Sequence, residues 1–290
     1  MNRFAAWLSI WLASLGVLFA QVTVEVVMDQ GQFLPNEALP VKVRVTNFSG
    51  QTLQLGERED WLRFSIEAQD GFIVRKQSPV PVAGEFMLES SHAAAKQVDL
   101  APHFSLEKPG RYTVIASIWI QDWNQLISSR PVHFDIMSGA PVREPILVGV
   151  PRAEGEEPGA PERRKFTLMQ ARYLDHLRLY LRVTDATEQR VLRVFPLCNM
   201  VSFSDPEVRV DERSNLHVLN QTGPVAFNYT VVTPDGEVIA RQTHQYTHTR
   251  PRLKLADDGK IAVSGGERRP SLTDVPMAKS SGIRDEAGGL

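Results

Sequence analysis

Val41-Lys42-Val43-Arg44-Val45 places an apolar residue at every second position and a basic one between. A period of two marks a half-buried strand, because successive side chains of extended chain point to opposite faces. Val22-Thr23-Val24-Glu25-Val26 before it and Val132-His133-Phe134-Asp135-Ile136 after it follow the same rule. Leu34-Pro35-Asn36-Glu37, Asn47-Phe48-Ser49-Gly50, Asp70-Gly71 and Lys108-Pro109-Gly110 carry turn chemistry between such segments. Short strands at this spacing predict a β-sandwich over residues 21–137.

Further along, Lys108-Pro109-Gly110-Arg111-Tyr112-Thr113-Val114 is a Pro-Gly turn that runs into Tyr-x-Val. It resembles the penultimate-strand region of bacterial immunoglobulin-like domains. Pro35-Asn36-Glu37 followed by Val41 to Asn47 is similar to their second-strand pattern. The intracellular proteinase inhibitor family shares these features. The resemblance covers roughly 100 residues and implies a fold, not an activity, since such sandwiches host many functions.

Residues 138–165 read as a linker. Pro141, Pro145, Pro151, Pro158 and Pro161 punctuate it, Glu154 to Glu157 is acidic, and Arg163-Arg164-Lys165 is basic. Ile146-Leu147-Val148 interrupts it as a short strand. Residues 166–265 read as a second β domain with a weak internal repeat. Pro206-x-Val208-x-Val210 then Leu216-His217-Val218 returns 45 residues later, from 206 to 251, as Pro251-x-Leu253-x-Leu255 then Ile261-Ala262-Val263. Leu179-Tyr180-Leu181 and Leu192-Arg193-Val194 return 37 residues later, from 179 to 216, as Leu216-His217-Val218 and Tyr229-Thr230-Val231. Units of this length resemble β-propeller blades. Two units are too few for a ring, which typically needs about four or more, so a second sandwich or a pair of stacked sheets is expected. Phe166, Met169, Tyr173 and Leu177 have helical spacing, which predicts a helical turn before a strand starting near Leu177. Residues 266–290 lack any apolar period and read as a disordered tail.

The chain of 290 residues carries a net charge of −2, with 42% hydrophobic and 23% charged residues. No global field draws it to nucleic acid or to an anionic membrane. Arg3 followed by the uncharged run from Phe4 to Phe19, ending at Ala20, reads as a cleaved secretory signal over residues 1–20. The run is shorter than the roughly 20 residues of a spanning helix. The expected address is therefore the periplasm or the exterior, with no embedding in the membrane after cleavage. Cys198 stands alone in Phe195-Pro196-Leu197-Cys198, so no intrachain disulfide forms, and its apolar setting predicts a buried, inert thiol.

No nucleophile elbow, H-E-x-x-H, phosphate loop or dinucleotide glycine pattern is present. His244 and His248 read as strand residues roughly 13 Å apart, too far to share a metal. Asp205, Glu207, Asp211 and Glu212 flank an extended segment and do not fold around one cation. Asp257-Asp258-Gly259 is turn chemistry. Asn47, Asn220 and Asn228 each head a glycosylation sequon. No catalytic residue, metal or cofactor is assigned. Trp119 and Trp123 are the candidate binding residues. In the strand from Tyr112 to Ile120 one face is apolar throughout, and the other carries Ile115 and Trp119. That second face calls for a cover: the second domain, a partner protein, or a sugar stacked on the tryptophans. The leading expectation is an exported, non-catalytic binding or structural module with a protein or glycan ligand and no nucleic acid. One alternative is a proteinase inhibitor acting through an exposed loop over residues 70–84. The other is a hydrolase or its carbohydrate-binding accessory.

Overall fold

The computed structural model describes residues 21–82, 84–151, 162–256 and 259–275. The segment read as a signal, residues 1–20, lies outside them, as do Glu154 to Glu157 of the linker and Asp257-Asp258. The described residues are all-β in several sheets, sandwich-like, with no closed barrel, no α-helix and a single 3-10 turn at Ala101–His103. No helix among them is long and apolar enough to cross a membrane. The chain divides into two compact units. One comprises residues up to 31, 39–104 and 112–134; the other comprises residues 32–38, 105–111 and 135 onward.

In the first unit, Val22–Val27 and Ala93–Asp99 pair antiparallel on either side of Pro40–Asn47. Val22, Val24, Val41, Val43 and Val45 turn inward and are buried. Leu62–Ala68 pairs with Gly110–Ile120, which also pairs with Gln125–Ser128 and Val132–Ile136. Its core face is Tyr112, Val114, Ala116, Ile118 and Ile120, all at most 1% exposed. Tyr112 stacks on Phe134 at 5.6 Å. Each sheet thus buries one side, as the period of two predicts. Asn47 ends its strand. Its side-chain amide donates to the Gln51 and Leu88 carbonyls (2.7 and 2.9 Å), and its Oδ1 accepts from Ser49 N at 2.9 Å. This buried Asx turn is what makes Asn47-Phe48-Ser49-Gly50 a turn.

The second unit stacks two sheets. Arg163–Tyr173 and His176–Asp185 form a hairpin over Leu174, which has φ 54°. Val191–Met200 pairs with the latter strand, while Ala140–Pro141 and Ile146–Gly149 pair with the former. Ile146–Gly149 holds the short strand expected at Ile146-Leu147-Val148, and Ala140–Pro141 adds a second within the segment read as linker. The expected helical turn is absent: residues 163–173 are extended. Phe166 and Leu168 face one core, with Leu179, Leu181 and Val183. Ala171 faces the other side, with Tyr180, Val194 and Leu34. Because both faces are covered, apolar residues appear at both parities and mimic helical spacing.

The partner sheet is a meander of Glu207–Val210, Leu216–Gln221, Ala226–Val232 and Val238–Gln245, with Glu267–Arg268 added at the edge. Leu216, Val218 and Val232 meet the first sheet's core. The opposite face, with Leu219, Phe227, Tyr229, Val231 and Ala240, is covered by the hairpin of Arg252–Leu255 and Ile261–Ser264 through Leu253 and Ile261. Both segments of the 45-residue repeat are therefore hairpins, one inside the meander and one lying over it. Glu207 pins the cover by accepting from Arg252 Nη1 (2.6 Å) and Leu253 N (2.8 Å). The region read as a disordered tail begins ordered: residues 267–268 pair with His244 and Gln245, and Val275 exchanges backbone hydrogen bonds with Arg241 at 2.9 and 3.0 Å.

Candidate functional site

On the outer face of Gly110–Ile120, Thr113, Ile115, Ser117 and Trp119 are half-buried. Their cross-strand neighbours are polar in part: Ser65 opposite Ile115, Arg63 and Ser128 opposite Ser117, Leu126 opposite Trp119. Trp119 is placed by Trp61, whose carbonyl accepts from Trp119 N at 2.7 Å. Trp61 is itself fixed: it is 2% exposed, its Nε1 donates to the Val82 carbonyl at 3.0 Å, and its ring meets Phe86 edge-on at 5.6 Å. Beside Trp119 lies a shallow depression with about 210 Å³ of empty space, open to solvent. Gln54, Gly56, Glu57, Arg58 and Gln121 wall it.

Gly56 sets that wall. Its φ is +90°, and a Cβ there would stand 2.2 Å from the Gly84 carbonyl oxygen, so backbone passes where a side chain cannot. Arg58 Nε donates to Asp60 Oδ1 at 3.0 Å, and hydrogen bonds from Arg58 and Arg63 hold the Asp60 carboxyl below the usual range. The Gln54 amide donates to Glu85. The rim therefore mixes amides, a carboxylate and a guanidinium whose charges are locally balanced. Trp123 lies in the turn of residues 121–124, closed by Asn124 N donating to the Gln121 carbonyl at 3.0 Å, and does not line the depression. The two candidate tryptophans are not brought onto one platform. Gln54, Gln121 and the loop at 56–58 carry no sequence period that would have connected them to Trp119.

The other expectations fall elsewhere. The loop over residues 70–84 projects Ile73, 85% exposed. Its second half is built in: Lys76 bridges to Phe104, and Val80 and Val82 are buried. His244 is buried on its strand, whereas His248 lies exposed beyond the strand's end at Gln245. Glu207 and Asp211 serve hydrogen bonds of their own. Among the described residues no group of three or more His, Cys, Asp or Glu could hold a metal. All three sequon asparagines are buried, Asn47 and Asn220 at 0% exposure and Asn228 at 8%. The folded chain offers none of them to a transferase.

Cys198 packs against the second unit's core, with its Sγ 3.4 Å from Asn220 Nδ2. Burial pushes the thiol up to about 11 from 9.0. At pH 8 the thiolate is then about a hundredfold scarcer than in an open chain. Maleimide should label Cys198 at least that much more slowly in the native protein than in urea; equal rates would show the thiol to be accessible.

Sequence reading missed one buried polar chain. Asp211 closes the turn before Leu216–Gln221 by accepting from Arg213 N and Asn215 N (2.9 and 2.8 Å). Its Oδ2 lies 3.2 Å from His217 Nε2, and His217 Nδ1 lies 2.7 Å from the Tyr229 hydroxyl. A hydrogen on Nε2 donated to Asp211 and an Nδ1 that accepts from the Tyr229 hydroxyl satisfy the three groups together. Burial, with Asp211 adding to it, pushes the Tyr229 phenol up to about 12. With His217 6% and Tyr229 2% exposed, the chain locks a turn to a sheet. Tyr229→Phe should lower stability by about 1–3 kcal/mol by stranding the buried Nδ1 lone pair. Urea denaturation followed by far-UV circular dichroism reads this, and an unchanged midpoint would dismiss the lock.

No protein-family model matches the chain, and no curated protein matches it. Among solved structures, the sporulation control protein Spo0M from Bacillus subtilis is similar over 56% of this chain and 79% of its own, at 11% identity and a TM-score of 0.29.

Proposed function

We propose that the protein is an exported, non-catalytic binding module whose first unit is an immunoglobulin-like sandwich and whose contact surface is the depression beside Trp119. One observation carries this reading: Trp119, whose backbone N–H donates to the carbonyl of the buried Trp61, is only half-buried on an outer sheet face, beside a depression rimmed by exposed polar side chains. A tryptophan of purely structural role would be expected to bury its face; one on a paired strand and left half-exposed is arranged as an anchor. His217 and Tyr229 of the Asp211–His217–Tyr229 chain are buried, and burial pushes the Cys198 thiol up. Neither supports a hydrolase.

The test uses residues 21–290, immobilised and exposed to the exported fraction of the native source. Trp119→Ala should reduce capture about tenfold or more while near-UV circular dichroism shows the fold intact. Trp123→Ala, outside the depression, should leave capture unchanged. Full capture by folded Trp119→Ala would end this assignment of the surface.

A further inference from the structure

We infer that the ligand of the Trp119 depression is a neutral saccharide, one ring of an extended glycan lying against the indole; this rests on the binding reading above. The depression is shallow and open, unlike the roughly 300–1,000 Å³ pockets that enclose a small molecule. It suits one flat portion of a longer molecule that continues over the outer sheet face. Indole faces carry negative charge density. The polarised C–H bonds on the face of a pyranose complement such a surface, and the ring's equatorial hydroxyls then point outward to whatever forms the rim.

The rim matches those hydroxyls. Gln121 offers a carbonyl acceptor and an NH₂ donor on one exposed side chain, the pairing a vicinal diol needs, and Gln54, whose amide nitrogen donates to Glu85, adds a carbonyl acceptor. Glu57 adds an acceptor. Arg58 adds a donor whose orientation is held by Asp60. Charge argues against the competing ligand classes. Glu57 and Arg58 carry opposite charges, and Arg58, Asp60 and Arg63 form an exposed cluster of mixed sign. A phosphate or a polyanion would ask for an excess of positive charge, and an apolar peptide side chain would ask for a closed pocket.

The experiment mixes residues 21–290 with insoluble cellulose, chitin, β-1,3-glucan, mannan and peptidoglycan, and reads retention at 0.1 and 0.5 M NaCl. The expected result is retention on at least one polymer, little changed by salt. It should fall about tenfold or more in Trp119→Ala, and about three- to tenfold in Gln121→Ala, whose exposed side chain leaves the melting temperature unaltered. Retention on none, retention that both variants keep, or retention abolished by salt each overturns the saccharide assignment. In parallel, capture from the exported fraction is repeated after periodate oxidation, which cleaves vicinal diols. Trp119-dependent capture that survives periodate keeps the binding surface and removes the saccharide. Capture that does not depend on Trp119 removes both.

Discussion

Gly56→Ala is expected to destabilise the first unit by about 3–5 kcal/mol. The added Cβ would stand 2.2 Å from the Gly84 carbonyl oxygen and 2.9 Å from Glu85 Cα, both backbone that no rotamer change can move. To this clash is added the cost of holding alanine at φ +90°. Gly71→Ala separates the two terms. Its φ is +77°, and nothing lies within 4 Å of its Cβ, so it carries the backbone strain alone, about 1 kcal/mol. Trp61, Trp119 and Trp123 are all in the first unit, so emission from residues 21–290 reports that unit. The Gly56→Ala midpoint should fall by about 1–3 M urea, and the Gly71→Ala midpoint by much less. Equal midpoints for the two variants would place Gly84 away from Gly56 and dissolve the wall of the depression.

The second large effect belongs to the other unit. Phe166 is 1% exposed and lies opposite Val183, in the core that joins the two sheets. Phe166→Ala removes most of a buried ring and leaves a cavity, at about 3–5 kcal/mol. Amide exchange of Arg163–Tyr173 and His176–Asp185 should accelerate by about two orders of magnitude or more. Tryptophan emission does not sense this unit, so it is the wrong probe here. Exchange rates like those of the unmodified chain would mean that the ring contributes little to that core.

How much of this was legible in the sequence depends on how many faces of a strand are covered. Val41, Val43 and Val45 bury one face, and their strict alternation gave their strand away. Leu216–Gln221 is buried on both faces, and Arg163–Tyr173 sends Phe166 and Ala171 to different cores. Alternation is then lost, and a chance 166–169–173 spacing looks helical. Residues 267–275 escaped for another reason. They are held by backbone pairing at a sheet edge and by Asp274 accepting from Thr243 Oγ1 at 3.1 Å, and neither leaves an apolar period to read.

The candidate site divides the same way. Trp119 was visible because an aromatic on the polar face of a strand contradicts the pattern around it. Its walls were not visible, because they depend on Gly56 lying against Gly84 and on Trp61 offering a carbonyl, both tertiary facts. Trp123 was drawn in by closeness in sequence, and the turn at 121–124 separates it from the depression. Pro196 sits on an outer strand of its sheet, beside a register shift at Leu179 and Tyr180, where a missing backbone N–H interrupts no central ladder.

The burial of Asn47, Asn220 and Asn228 bears on where this chain can be made. Oligosaccharyltransferase acts on extended polypeptide entering a eukaryotic endoplasmic reticulum, before strands close over the acceptor. A glycan attached there to Asn47 would occupy the space of the Gln51 and Leu88 carbonyls, and one on Asn220 would sit between two sheets. Such a host would mark the chain at positions that folding must then enclose, and its quality-control machinery would retain the product. A bacterial host without that transferase meets no such conflict.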